Sequence, residues 1–293
     1  MRPLKYFVVD VFTEVPLAGN PLAVFPDGTG LSDTTMQMIA KEINLSETTF
    51  VFPATDSRCS AKVRIFTPAT ELSFAGHPTI GTAFVLRREE LVRADANSFF
   101  LEENIGPVNV RVERILPERF WLTTPPISVG RTYDRGLVAE ALGLTESDLL
   151  PDVLPQLLSA GNPNVYVALR DKRAVDRAWI DRAGAHSIQG DSGDSSCIFV
   201  FATSEQGAYS RMFAPQYGIA EDPATGSATG PLAAYMIRNG LIAGTDGTHF
   251  VSEQGTKMGR PSFLSVMVHG DSGADGIEVG GHVVQLVDAT MSL

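Results

Sequence analysis

A duplicated strand and corner constrains this 293-residue chain more than any other feature. The first copy reads Arg64-Ile65-Phe66-Thr67-Pro68, then Glu71-Leu72-Ser73-Phe74-Ala75-Gly76-His77-Pro78-Thr79-Ile80-Gly81-Thr82. The second reads Arg211-Met212-Phe213-Ala214-Pro215, then Glu221-Asp222-Pro223-Ala224-Thr225-Gly226-Ser227-Ala228-Thr229-Gly230. In both, an arginine opens a short apolar strand that ends at proline. An acidic residue follows, and a glycine-rich corner leads into an apolar helix, residues 82–86 in one copy and 231–237 in the other. From Arg64 to Arg211 is 147 residues, about half the chain. Gly19-Asn20-Pro21 and Gly161-Asn162-Pro163, each before an apolar run, repeat at an offset of 142. Two matches at nearly one offset point to duplication of a whole domain, not to a solenoid of short repeats.

Each corner has a chemical use. A helix N-terminus presents unpaired backbone N–H groups and the positive end of the helix dipole. Glycine lets a ligand approach that backbone closely. Two such ends, one from each half, could face one another across a cleft and hold an anionic group or an enolate-like oxygen. A single glycine corner would more simply turn a strand into a buried helix; the pair favours the functional reading.

The length suits two domains, each able to bury its own core. Hydrophobic residues at 44% and charged residues at 19% are those of a soluble globular chain. Lys and Arg number 23 against 34 Asp and Glu, a net charge of −11, which argues against a nucleic-acid partner. There is no apolar run long enough to span a membrane. The N-terminus enters a strand-like run without a signal-peptide core, and there are two cysteines, so the expectation is a cytoplasmic, reducing location and no disulfide framework.

Along the chain, residues 6–12 read as a buried strand. Ser32 and Asp33 are N-cap candidates for a helix with Met36, Ile39, Ala40 and Ile43 on one face, ending at Asn44. Strands are expected over 48–52 and 61–66, a helix over 78–88, and short strands over 98–122. Thr124-Pro125-Pro126 marks the boundary, giving lobes 1–123 and 124–293, with a last strand that could return to the first lobe. In the second half, helices are expected near 137–142 and 174–182, a polar loop over 186–196, and strands over 165–169, 197–201, 262–268 and 277–287.

Glu47 stands between a helix end and an apolar strand. It reads either as a surface glutamate or as a partly desolvated acid–base group. His77 sits at the first corner, where the helix dipole disfavours imidazolium, and reads either as a packed side chain or as a neutral relay. Asp222 and Ser227 bracket the second corner and fit either a helix cap or a substrate contact. Gly76 is followed by no P-loop lysine, and Ser227 lies one place too early for a nucleophile elbow. The histidines are too scattered for a metal site, and no dinucleotide fingerprint is present. Cys59 and Cys197 fall one in each half, but away from the glycine corners, and read as inert core thiols rather than a two-thiol racemase pair.

The motifs Asp10-Val11-Phe12-Thr13, Gly19-Asn20-Pro21-Leu22-Ala23-Val24, Ser46-Glu47, Phe74-Ala75-Gly76-His77-Pro78-Thr79, Glu221-Asp222-Pro223-Ala224-Thr225-Gly226-Ser227-Ala228, Gln254-Gly255 and Gly259-Arg260-Pro261-Ser262 resemble the phenazine biosynthesis PhzF-like family over essentially the whole chain. The resemblance implies an α+β, diaminopimelate epimerase-like fold. Its two pseudo-symmetric lobes are each a mixed β-sheet rolled into a barrel around a central helix, with the active site between them. It further implies a cofactor-independent isomerase that moves a proton between carbons of a small carboxylate-bearing substrate, no metal, and a homodimer. Glu47 matches the family's acid–base glutamate. His77, Asp222 and Ser227 match substrate-site residues, and Gly76 and Gly226 match the helix ends. The other readings are an amino-acid racemase or epimerase and a non-catalytic small-molecule-binding homologue.

Overall fold

The computed structural model describes residues 3–190, 196–273 and 276–293. The chain divides into two compact units: residues 1–123 with 280–293, and residues 124–279.

In the first unit, β1 (Leu4–Val11), β2 (Asn20–Phe25), α1 (Asp33–Ile43), β3 (Glu47–Phe52), β4 (Cys59–Phe66), β5 (Glu71–Leu72), α2 (Gly76–Arg88), β6 (Ser98–Glu103), β7 (Gly106–Glu113) and β8 (Arg119–Thr123) follow in order. The second holds β9 (Ser128–Thr132), α3 (Arg135–Ala141), β10 (Gln156–Ser159), β11 (Pro163–Ala168), α4 (Lys172–Arg177), α5 (Arg182–Gln189), β12 (Cys197–Ser204), β13 (Gly207–Ala214), β14 (Ile219–Asp222), α6 (Gly226–Arg238), β15 (His249–Gln254) and β16 (Ser262–His269). The chain leaves that unit within β17 (Gly276–Gly281) and ends in β18 (Val283–Met291).

The two sheets share one topology. In the first unit the strand order is β18-β1-β2-β3-β4-β6-β7-β8, parallel at β2–β3 and β4–β6 and antiparallel elsewhere. In the second it is β9-β10-β11-β12-β13-β15-β16, parallel at β11–β12 and β13–β15. β18 thus takes the place in the first sheet that β9 takes in the second. β18 lies antiparallel on β1, from Leu4 opposite Met291 to Val11 opposite Val283, so residues 280–293 belong to the first unit.

Each sheet wraps a helix that is apolar nearly all round. α2 buries residues 76–83, 85 and 86; α6 buries 226–233, 235 and 236. A helix with no polar stripe has to be enclosed. At Gly81 an added Cβ would sit 2.6 Å from Leu22 Cδ2 and 2.9 Å from Val11 Cγ2, so glycine there lets α2 close onto β1 and β2. A second helical layer covers each sheet's other face. α1 packs Met36, Ile39 and Ala40 against Phe25, Phe50 and Phe66, and the Phe25 and Phe50 rings stack at 5.0 Å. In the second unit β11 sends Tyr166 and Ala168 to the α6 side, and Val165 and Val167, with Leu169 just past its end, to the side of α3, α4 and α5. Burial on both faces explains why these strands read as continuous apolar runs. Each fully buried aromatic there contributes roughly 2–3 kcal/mol.

α1 has the expected ends: Ser32 caps it by accepting from Thr35 N–H at 3.1 Å, and Asn44 closes it in the left-handed region at φ 55°. The polar loop expected over 186–196 is corrected in part. Residues 186–189 complete α5, which is capped by Asp181 and anchored by Ala185 and Ile188. Residues 191–195 lie outside the described residues. The single helix expected over 174–182 is two, α4 and α5, separated at Ala178. Among the described residues, no helix is long and apolar enough to cross a membrane.

Candidate active site

In the first unit the chain brings Asn20, Glu47 and His77 together. Asn20 opens β2 and Glu47 opens the parallel neighbour β3; Leu22 lies opposite Glu47 in that ladder. His77 is the second residue of α2. Gly19, at φ 66°, makes the turn that delivers Asn20; a Cβ there would meet Val11 O at 2.3 Å. Asn20 is fully buried and His77 is 4% exposed. The Glu47 side chain is 12% exposed, which removes the surface-glutamate reading.

Asn20 Nδ2 lies 3.2 Å from His77 Nδ1, and His77 Nε2 lies 3.2 Å from Glu47 Oε2. An amide nitrogen only donates, so Nδ1 accepts and the imidazole carries its proton on Nε2, the nitrogen facing Glu47. The ring is neutral: burial pulls the His77 pKa down to about 3. The direction agrees with the dipole argument, but desolvation is the cause. The Nε2–Oε2 contact is close without being an aligned hydrogen bond. That leaves the carboxylate oxygen beside a donor yet not locked to it.

In the second unit the corner is organised by Thr225 and Gln254. Thr225 Oγ1 donates to Asp222 Oδ2 at 2.5 Å. Gln254, the last residue of β15, donates through Nε2 to Asp222 O at 2.8 Å and to Thr225 Oγ1 at 3.0 Å, and its Oε1 accepts from Thr225 N–H at 3.1 Å. Asp222 and Ser227 are both buried. Gly76 and Gly226 are the first residues of α2 and α6, and His77 and Ser227 hold the second position of each. The capping reading of Asp222 and Ser227 is corrected. The N-cap residues are Ala75 and Thr225, and neither makes a side-chain cap bond.

An ion pair steadies each corner, partly buried in the first unit and buried in the second. Arg64 binds Glu71 through two bonds of 2.8 and 2.6 Å, and Arg211 binds Glu221 through two of 2.9 and 2.8 Å. Glu221 immediately precedes Asp222, so this pair sets where Asp222 stands. Cys59 opens β4 and Cys197 opens β12, so neither is part of a glycine corner; Cys197 packs against the core around α6, within electrostatic reach of Asp222. Burial pushes the Cys197 thiol up to about 12. Among the described residues no group of His, Cys, Asp and Glu has the arrangement of a metal site.

Asn20 and Gln254 lie within motifs the sequence displays, yet their roles depend on contacts 57 and 32 residues away along the chain. The repetition of Gly-Asn-Pro was the available signal for Asn20.

A family model described as phenazine biosynthesis-like protein, PhzC-PhzF, matches residues 9–289. Trans-2,3-dihydro-3-hydroxyanthranilate isomerase of Pseudomonas chlororaphis is 35% identical over 294 residues, covering 98% of this chain and 99% of that protein. An uncharacterized isomerase of Mesorhizobium japonicum is 36% identical over 312 residues, covering 99% of each. The crystal structure of a Bacillus anthracis phenazine biosynthesis protein of the PhzF family matches with a TM-score of 0.88 over the full length of both chains, at 23% identity. The fold is the diaminopimelate epimerase-like α/β fold.

Proposed function

The chain belongs to the phenazine biosynthesis-like PhzC-PhzF family and is an isomerase of it; from this premise we propose that it moves a proton between two carbons of a small unsaturated carboxylic acid, with Glu47 as the acid–base group. The observation that carries the proposal is the Glu47–His77–Asn20 arrangement: a largely buried carboxylate against the N–H of a neutral imidazole whose tautomer is set from behind.

His77 Nε2 lies 3.2 Å from Glu47 Oε2, beside the carboxylate that removes a proton from carbon. The proton then resides on Glu47, from which it is returned at another carbon. The bond broken and the bond formed are both C–H, and the double bond shifts between them. One base of suitable pKa serves both steps. The charge that develops on the substrate is stabilised by the N-terminal donors of α2 at Gly76. The substrate class is that named for the relatives, a cyclic unsaturated amino or hydroxy acid. Neither α2 nor α6 begins with a cysteine, which counts against a two-thiol racemase. The family resemblance also gives a homodimer, which light scattering on the purified chain tests.

The test of function is proton NMR in D2O with trans-2,3-dihydro-3-hydroxyanthranilate and a panel of related unsaturated acids. Deuterium uptake at one carbon with migration of the double bond, lost in Glu47→Gln, is the expected result. Uptake that persists in Glu47→Gln overturns the assignment of the base. Inversion without bond migration replaces the reading with an epimerase, and tight binding without exchange replaces it with a binding homologue.

A further inference from the structure

Glu103 ends β6 and is 4% exposed. Its Oε1 lies 2.6 Å from Thr79 Oγ1, and that hydroxyl is also 2.7 Å from Ala75 O. A threonine hydroxyl has one proton, and it stands here between a carboxyl oxygen and a carbonyl oxygen. If Glu103 were ionised, one of these two short O···O contacts would hold no hydrogen. If Glu103 is protonated, both are satisfied: Glu103 donates to Thr79, and Thr79 donates to Ala75 O. Among the described residues no cation pairs with Glu103. The neighbouring Lys62 is engaged instead by Glu102, on the opposite face of the strand. Burial by itself moves the Glu103 carboxyl the same way, up to about 8.

The internal repeat supplies an independent observation. With Arg64 aligned to Arg211, Lys62 aligns with Tyr209. Lys62 pairs with Glu102, and Tyr209 pairs with Glu253. The next residue along each strand is therefore Glu103 in one unit and Gln254 in the other. Gln254 ties the end of β15 to the second corner through a neutral amide. A protonated Glu103 is the near-isostere of that amide.

Glu103 does not act alone. Asn104 Nδ2 donates to Glu71 Oε1 at 3.0 Å, and Ile105 N–H donates to Ser73 O at 3.1 Å. Three consecutive residues of the β6–β7 turn thus grip the stretch from Glu71 to Thr79, in which His77 lies.

We propose that Glu103 is a neutral carboxylic acid at neutral pH and a positioning residue, which together with Asn104 and Ile105 fixes the first turn of α2 and with it the His77 ring against Glu47. Its protonation and its hold on His77 are independent of substrate; only the catalytic consequence rests on the reading of Glu47 above.

Infrared difference spectra of the full chain, wild type minus Glu103→Gln at neutral pH, are expected to carry the carbonyl band of a protonated carboxyl. In ¹⁵N-histidine NMR, Glu103→Gln is expected to keep the His77 ring resonances, whereas Glu103→Ala shifts or broadens them. Glu47-dependent deuterium exchange should survive in the Gln variant and fall about tenfold or more in the Ala variant. Glu103→Met replaces Ala if that variant does not fold. A missing carboxyl band, a Gln variant that fails to fold, or an Ala or Met variant with an unmoved His77 ring overturns the proposal. Absence of exchange in the wild type would strike the proposed function, while the infrared and histidine readouts still decide the state and hold of Glu103.

Discussion

His77 Nε2 stands 3.2 Å from Glu47 Oε2, with the opposite ring nitrogen turned to Asn20 Nδ2. Asn20 is the group that decides which nitrogen carries the proton. Asn20→Asp would present an acceptor to Nδ1, draw the proton there and turn a bare Nε2 toward Glu47. Turnover should fall roughly 10- to 100-fold, part of what a positioned proton-transfer group supplies, with the histidine NMR spectrum reporting the other tautomer. Full activity with an unchanged spectrum would remove Asn20 from the site.

Stability should respond to pH through two buried groups of opposite sense. Burial holds His77 at about 3 against an ordinary 6.5, and raises Glu103 to about 8 against an ordinary 4.5. Below 6.5 the unfolded chain binds a proton at His77 that the folded chain refuses, so stability drops as pH falls from there toward 3. Above 4.5 the unfolded chain releases a proton at Glu103 that the folded chain keeps, so stability drops as pH rises to 8. The two slopes oppose one another between 4.5 and 6.5. From 6.5 to 8 the Glu103 slope stands alone, at most about 1.4 kcal/mol per pH unit. Urea titrations should show a decline over that window that Glu103→Gln flattens; parallel curves for the two proteins would contradict it.

The repeated Arg–Glu pairs should not cost the same to break. Arg211 and Glu221 side chains are 6% and 10% exposed, and Arg211 also donates to the carbonyls of Val175, Asp176 and Ala178. Arg64 and Glu71 are 20% and 27% exposed. Arg211→Met strands a buried carboxylate and should cost about 3–5 kcal/mol; Arg64→Met leaves Glu71 partly hydrated and should cost about 1 kcal/mol. Chemical denaturation of the two variants makes the comparison, and equal losses would show that burial does not govern the pair.

Gln254→Met removes three hydrogen bonds at the second corner and leaves the Thr225 N–H without its acceptor. The loss should be about 2 kcal/mol, with weakened substrate binding as Asp222 loses its brace. Conversely, alkylating reagents at neutral pH should leave turnover intact, because burial raises both the Cys59 and the Cys197 thiols. Inactivation by alkylation would reopen the thiol reading.

Much of this architecture is written locally. Ser32 and Asn44 mark both ends of α1, and the Arg-to-glycine corner marks the core helix of each unit. What could not be read is what depends on distant contacts. Glu103 looks like one of two surface glutamates at a hairpin, and only the fold separates it from Glu102. Asp222 and Ser227 look like caps because the residues that order the corner, Thr225 and Gln254, converge only in three dimensions. α5 passed for loop because its few apolar residues, among them Ala185 and Ile188, are scattered through a polar stretch.

The pairing of β18 with β1 has a consequence for how the two units mature. Residues 124–279 are continuous in the chain, whereas the first unit is closed by two stretches, 1–123 and 280–293, separated by the whole of the second. Glu47 and His77 therefore sit on a sheet that is completed only when a distant segment docks, and a chain lacking residues 283–291 would carry both on a sheet with an unguarded, association-prone border along β1.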